Sequence, residues 1–357
     1  MLGRSGPDPV RGGAAVRAVV FHGPGRFSVD EVADPVAGPR QVVVRVEAVG
    51  ICGTDVHVLD GEFAPTRYPI IPGHETSGVV ESVGSEVHEL SPGDRVSVDP
   101  TLFCGECQFC TAGRSNLCER WDGSGVARTN GSTAELTVAP VRNVHRLPDG
   151  VDLAVAALVE PLSCAIHGYD LLPRRMGEHY LVYGAGTMGL MMAQLAPRAG
   201  AASVTVVDRL PERLETARRV GVQRVATSAD DAQRTGGWDV VIDCTGAPAA
   251  IEDGLSRVRR GGTFQQFGVA PADATATFSP FRIYNDEISV VGSMAELRSY
   301  ARAVEMFAAG ALDAAAMVSH AFPLEGYGDA IAMFRRGEGR KLQIRPGSGA
   351  PVELSGS

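Results

Sequence analysis

The segment YLVYGAGTMGLMMAQLA, residues 180–196, constrains the chain more than any other stretch. A short apolar run reads as a buried strand, a glycine turn follows, and a second apolar stretch opens a helix. The turn is Gly184-Ala-Gly186-Thr-Met-Gly189, so this GxGxxG has the strand and helix around it that a lone match lacks. Gly184 permits the tight turn, Gly186 lets the backbone approach a pyrophosphate, and Gly189 lets the helix sit close on the sheet. The helix N-terminus would face the phosphates. Asp208 ends the next strand, SVTVVD, where a carboxylate can accept hydrogen bonds from an adenosine ribose.

The strand-like runs SVTVVD, RVAT, DVVIDCTG and GTFQQFGV are separated by helical stretches such as PERLETARRVG. That rhythm predicts a parallel sheet covered on both faces. The first part is different: from about Val16 to Asp99, short β-branched runs (VRAVVF, QVVVRVEAVG, SGVVESVG, DRVSVD) alternate with glycine and proline, which predicts a β-rich, barrel-like domain. LAVAALVEPLSCAIHGYDLL, SYARAVEMFAAG and GYGDAIAMFRRG read as helical, and KLQI as the last strand. Pro197 should end or kink the helix after the glycine turn. The expected fold class is α/β, a doubly wound parallel-sheet domain inserted into a β-rich domain that the C-terminal residues complete. The expected boundaries are a disordered extension at 1–16, the β-rich domain at 17–165 and 296–357, and the nucleotide-binding domain at 166–295.

Composition narrows the partners. A net charge of −9 and a pI near 5.4 disfavour nucleic acid and anionic lipid. No run approaches the roughly 18 apolar residues of a membrane span, and the first 16 residues lack the apolar core of a secretory signal, so a cytoplasmic protein with a small-molecule partner is expected. Lys341 is the only lysine. A P-loop needs a lysine in its glycine-rich turn and a Schiff-base enzyme a buried one, while a Tyr-x3-Lys pair fails because Gly337 stands four residues before Lys341.

Four of the seven cysteines form Cys104-x2-Cys107-x2-Cys110-x7-Cys118. Four thiolates closely spaced on a loop suit one tetrahedral zinc at ~2.3 Å, and a closed four-sulfur site has no open position, so this zinc would be structural. A second set is scattered: Cys52 in GICGTDVH, His74 and Glu75 in PGHETSG, and Glu160 in VEPLSCAIHG. Sulfur, imidazole and carboxylate together suit a catalytic zinc. Taken singly, Cys52 reads as a core thiol, His74 as a turn histidine and Glu160 as a helix-terminal carboxylate. Cys164 and Cys244 read as buried apolar residues.

In order and spacing, GICGTDVH, YPIIPGHETSGVVESVG, PGDRVSV, the four-cysteine loop, EPLSCAIHG and the glycine turn with its following acid resemble the zinc-containing medium-chain alcohol dehydrogenases. The resemblance is nearest to the sorbitol and threonine dehydrogenase branch and runs from about Val16 to Ile344. It implies a GroES-like catalytic domain beside a Rossmann domain, two zinc ions per chain, and a homodimer or homotetramer. It also implies that Cys52 and His74 ligate the catalytic zinc, with either Glu75 or Glu160 as a further ligand. Thr54 and His57 match the residues that pass the alcohol proton to solvent, and Glu75 and Glu160 complete the expected catalytic set. The cofactor set would be Gly184, Gly186, Thr187, Met188, Gly189, Asp208, Arg213, Thr245 and Val269. NAD is expected over NADP because Asp208 would meet the 2′-phosphate as a like charge, although Arg209 could offset it.

The implied reaction takes a hydride from a secondary alcohol, a polyol, sugar alcohol or cyclitol, and gives a ketone. L-Threonine, with Arg298 as a partner for its carboxylate, and a simple secondary alcohol are the alternative substrates. The non-enzymatic alternative, a structural protein binding zinc and nucleotide, would not need Thr54, His57, Glu75 and Glu160 together. Sorbitol dehydrogenases carry an Arg-Tyr pair after a glycine equivalent to Gly292, where this chain has Ala295 and Glu296, and Val58 replaces the tyrosine after the relay histidine. Those departures count against sorbitol itself.

Overall fold

The computed structural model describes residues 15–63 and 65–354. The expected disorder up to residue 14 lies outside the described residues. Ala15 and Val16, assigned to the same extension, instead begin the strand Ala15–Gly23, and Val16 pairs with Val32 on Arg26–Ala33.

Six strands, every neighbouring pair parallel, form one sheet in the order Arg224–Ala226, Ala201–Val207, Glu178–Tyr183, Trp238–Asp243, Val258–Gln266 and Ser289–Gly292. Numbered along the chain, the order is 3-2-1-4-5-6, so the direction of winding reverses between Glu178–Tyr183 and Trp238–Asp243. Ligands bind in the crevice above such a reversal. Leu181, Val182, Val240, Val241 and Ile242 are all fully buried, which explains why these strands read as unbroken apolar runs. The helix after the glycine turn, Thr187–Leu195, gives way to a tighter turn at Ala196–Ala199 that contains Pro197.

The second large sheet runs Val352–Glu353, Val318–Phe322, Lys341–Ile344, Gln41–Gly50, Glu75–Val83, Arg95–Val98 and Val144–Arg146, with Leu136–Pro140 also paired to Gln41–Gly50. C-terminal strands therefore complete a sheet begun by N-terminal ones. KLQI is not the last strand, since Val352–Glu353 follows it and pairs with Val318–Phe322. Two residues are too few to show an alternating pattern.

The helical reading of LAVAALVEPLSCAIHGYDLL resolves into two helices, Leu153–Ala156 and Val159–Asp170. Pro161 falls in the first turn of the second, where its missing N–H costs no intrahelical bond. Leu162, Ala165 and Ile166 of this helix pack in one core with Leu190, Met191 and Val304. Glu160 is thereby pinned at the helix N-terminus.

Candidate active site and zinc centres

Three neighbouring strands bring the scattered set together. Gly50, at the end of Gln41–Gly50, pairs with Glu75 on one side and Gln343 on the other. The chain leaves Gly50 through Ile51 and presents Cys52 as the N-cap of the helix Gly53–Asp60. Cys52, His74 and Glu75 each offer a ligand atom within 4.8 Å of the others. His74 and Glu75 are buried. Asp55 accepts from the Cys52 backbone N–H at 2.9 Å, and its other oxygen lies 3.5 Å from His74 Nδ1. Burial works against a charged His74, but Asp55 and, after it, Cys52 together lift the imidazole pKa well above its ordinary value. Glu75 lies against Lys341 at 2.7 Å.

Thr54 Oγ1 is 3.7 Å from Cys52 Sγ. His57, on the same helix, is about one-third exposed, and its Nδ1 lies 2.6 Å from Glu62 Oε2. Thr54 thus sits beside the thiol, and His57, three residues further along the helix, is partly exposed.

Glu160 belongs to a second cluster. Its carboxylate, the Cys164 thiol and the Glu296 carboxylate lie within 4.8 Å of one another, and Cys164 Sγ is 3.5 Å from an oxygen of each acid. Burial pushes the Glu160 pKa well above the carboxylate range; nearby His74 opposes this, and Glu296, Glu75 and Cys52 reinforce it. Asp99 is raised by burial and then by Glu296, which also accepts from Thr101. The apolar role expected of Cys164 is corrected here. One helical turn from Glu160, it shares the acid's face and touches both carboxylates.

The four-cysteine loop closes on itself. Sγ–Sγ separations are 3.4 Å for Cys104–Cys118 and 3.9 Å for both Cys104–Cys110 and Cys107–Cys118. A tetrahedron with ~2.3 Å bonds has edges of about 3.8 Å, so the sulfurs fit zinc and no disulfide is formed. Backbone N–H groups of Cys104, Cys107 and Arg120 point at Cys118 and Cys104 sulfurs at 3.3–3.4 Å. Backbone N–H groups of Glu106 and Cys107 lower the Cys104 pKa to about 6, whereas desolvation raises Cys110 to about 12.

At the sheet reversal, Gly184 has φ +95°, and a Cβ on Gly189 would lie 1.8 Å from the Gly184 carbonyl oxygen. A Cβ on Gly186 would meet nothing, leaving room above the turn. Thr187 and Met188 form the first turn of the following helix. Asp208 accepts from Ala185 N at 2.7 Å and Leu210 N at 2.9 Å, with Arg213 Nη1 at 3.9 Å. Arg213 also donates to the Gly337 carbonyl at 3.0 Å. Thr245 is tied to Asp243 through its hydroxyl at 2.6 Å, and Val269 is an exposed apolar residue.

The family descriptions "Alcohol dehydrogenase GroES-like domain" and "Zinc-binding dehydrogenase" match residues 38–149 and 187–309. The chain is 33% identical to D-arabinitol dehydrogenase 1 of Uromyces fabae, over 93% of this chain and 98% of that one. This chain belongs to the zinc-binding alcohol dehydrogenase family. It is 35% identical to L-threonine 3-dehydrogenase of Streptomyces avermitilis, over 89% and 95% of the two chains. A crystal structure of a zinc-binding dehydrogenase from Sinorhizobium meliloti 1021 bound to NADP superposes with a TM-score of 0.88 at 34% identity, covering 93% of this chain and all of that one. The protein is thus an alcohol oxidoreductase, and among its described residues no helix is long and apolar enough to cross a membrane.

Two residues of this dehydrogenase site were not singled out from sequence for the roles they hold. Asp55 lies within the CGTDVH run already noted, but a carboxylate in a first helical turn reads as a cap. Lys341 served only to exclude other enzymes, and one of those exclusions is corrected here: the lysine is buried, so what counts against a Schiff-base role is its ion pair with Glu75, not exposure. A carboxylate on the far nitrogen of a metal-binding histidine fixes the ring. Asp55→Ala is expected to weaken metal retention by Cys52 and His74 by about 10- to 100-fold in chelator competition. Unchanged retention would show that something else orients His74.

Proposed function

We propose that this dehydrogenase oxidises a secondary carbon of a polyol, sugar alcohol or cyclitol to a ketone, with NAD as hydride acceptor. Cys52, His74 and one glutamate would hold a catalytic zinc, and Cys104, Cys107, Cys110 and Cys118 a structural one. The donor sets support this: one is mixed and buried, the other is four sulfurs at tetrahedral spacing. When bound, zinc supplies Lewis acidity that makes the substrate hydroxyl easier to deprotonate, and the nicotinamide accepts the hydride.

The chain's own residues supply the remainder. Thr54 Oγ1 takes the hydroxyl proton and passes it to His57, whose partner Glu62 is exposed and delivers it to water. The Gly184–Gly189 turn leaves space for the pyrophosphate, and Asp208 offers lone pairs to the ribose. Thr187, Met188, Arg213, Thr245 and Val269 border the same crevice. The β-rich catalytic domain would comprise 15–165 and 296–354 and the nucleotide domain 166–295, with the helix Val159–Asp170 running across the boundary. The enzyme would work in the cytoplasm as a homodimer or homotetramer.

One observation favours a polyol over threonine: Asp99, Glu160 and Glu296 gather beside the reaction centre and, among the described residues, no lysine or arginine forms an ion pair with any of them. A substrate carboxylate entering there would be desolvated among buried acids with no cation to pair it, a large cost, whereas hydroxyls can exchange hydrogen bonds with these acids in either protonation state. Arg298 is exposed, and its guanidinium lies over Gly113. The test compares kcat/KM for several polyols, L-threonine and 2-butanol with NAD. If threonine or 2-butanol wins by more than about tenfold, ~1.4 kcal/mol in transition-state binding, the polyol reading is wrong.

The cofactor preference has its own test. Asp208→Ser should raise the NADP-to-NAD ratio of kcat/KM by about tenfold or more, since the like charge facing the 2′-phosphate is gone. NAD binding itself should also weaken, because Asp208 anchors Ala185 N in the glycine turn. An unchanged ratio would mean that Arg209 and Arg213 govern the site.

A further inference from the structure

At the end of the parallel sheet opposite the glycine turn lies a cavity of about 450 Å³. Trp238 and Val258, which open the neighbouring strands Trp238–Asp243 and Val258–Gln266, form part of its wall. The length of Trp238–Asp243, roughly 17 Å, separates that wall from the level of the cofactor crevice. In a chain whose net charge is −9 the lining is cationic: Arg234, Arg257 and Arg282 contribute and, among the described residues, no aspartate or glutamate does. Gln233, Thr235 and Ser256 add uncharged hydrogen-bonding groups.

The three arginines differ in how far their charge is already answered. Arg257 pairs with Asp230 at 2.6 Å and Asp253 at 2.9 Å. Arg282 donates to the carbonyls of Leu255 at 2.9 Å and Val258 at 2.5 Å. Those carbonyls lie at the C-terminal end of the helix Pro248–Arg257, which would otherwise repel an anion. Arg282 has one carboxylate partner among the described residues, Asp286 at 3.4 Å, and Arg260 shares that acid at 3.1 Å. Arg234 has no ion pair among the described residues, and its Nε is buried without a hydrogen-bond partner. One whole cation and the unanswered part of a second therefore line a polar cavity.

We propose that this cavity binds a small phosphate monoester that also carries hydroxyls, of the sugar phosphate class, at a site separate from the cofactor crevice. Arg234 supplies charge-assisted donors to the phosphate, Arg282 adds to the positive field, and Gln233, Thr235 and Ser256 take the hydroxyls. The volume lies within the range of small-molecule sites and exceeds what a lone phosphate fills. The inference does not depend on the zinc or alcohol readings.

The test is isothermal titration calorimetry on the full zinc-loaded chain, with ribose 5-phosphate and inorganic phosphate as probes. Saturating ADP-ribose fills the cofactor crevice and, lacking nicotinamide, allows no turnover. Ribose 5-phosphate is expected to bind once per chain with a Kd below about 1 mM, and at least about tenfold more tightly than inorganic phosphate. Arg234→Gln should weaken it by about tenfold or more, since it removes the unpaired cation. Thr235→Glu, which places a carboxylate on the wall from an exposed position, should weaken it by a similar factor of about ten. Neither change touches a fully buried residue, so both variants should melt with the parent. No binding to the parent overturns the proposal, as does binding that both variants leave unchanged, which would place the probe at the reaction centre or elsewhere. Binding seen only without ADP-ribose would place the probe on the glycine turn and overturn it equally. Inorganic phosphate binding as tightly as ribose 5-phosphate would overturn the sugar phosphate assignment.

Discussion

Replacing Cys52 with serine is expected to reduce turnover by on the order of 10³-fold or more, about 4 kcal/mol in the barrier, while leaving the fold in place. The two outcomes separate because Cys52 has two jobs. As a thiolate it would be the soft donor of the proposed mixed set, and a serine hydroxyl is a poor replacement for it. As the N-cap of Gly53–Asp60 it sits where serine is, if anything, preferred. The Asp55 carboxylate accepts from the backbone N–H of residue 52, which the substitution leaves unchanged. Metal analysis should return one zinc per chain instead of two, with a circular dichroism spectrum like the parent's. Turnover within tenfold of the parent would remove Cys52 from the chemistry.

Cys107→Ser should do the reverse, with its primary effect on stability. The loop from Cys104 to Cys118 has few apolar residues, and among its described residues the four sulfurs fill the role of a core. Opening a closed site forfeits most of the metal's contribution to folding, which reaches ~10–16 kcal/mol in isolated zinc peptides. Only the part not absorbed by local unfolding would reach the melting temperature, so a fall of roughly 5–10 °C is expected. Protease cleavage should appear between Cys104 and Trp121. Activity should fall too, because the loop's Asn116 donates to the Met294 carbonyl at 3.0 Å, close in sequence to Glu296. Retention of both zinc ions with an unchanged melting curve would show that three sulfurs suffice.

Much of this molecule could be read from its residues because its strongest signals are local. The glycine turn needs Gly184, Gly186 and Gly189 for separate steric reasons, and the structure provides two of them as a positive φ and a 1.8 Å approach. The four-cysteine spacing brings its sulfurs to tetrahedral separations within one short loop. What resisted reading depends on long-range pairing. Lys341 and Glu75 are 266 positions apart, and nothing in KLQI indicates that its first residue will lie beside GHE. Glu296 was noted only as a departure from the sorbitol pattern, while Cys164 was set aside as apolar. Their meeting with Glu160 depends on how Val159–Asp170 faces the segment after Ser289–Gly292. The short strand Val352–Glu353 is held by neighbours, having too few residues for a pattern of its own.

The placement of Lys341–Ile344 between Val318–Phe322 and Gln41–Gly50 also sets an order of assembly. During synthesis the strand carrying the chain toward Cys52 waits for a neighbour nearly 300 residues downstream, so the reaction centre cannot be complete until almost the whole polypeptide has emerged. The cysteine loop has no such dependence, as its four sulfurs arrive within 15 residues. On the two-zinc reading, a nascent chain could capture an ion at this loop early, whereas an ion at Cys52 and His74 would meet a finished cradle only after release. Under zinc scarcity, newly made molecules would accumulate folded but inactive, with the loop filled and the reaction centre still awaiting metal.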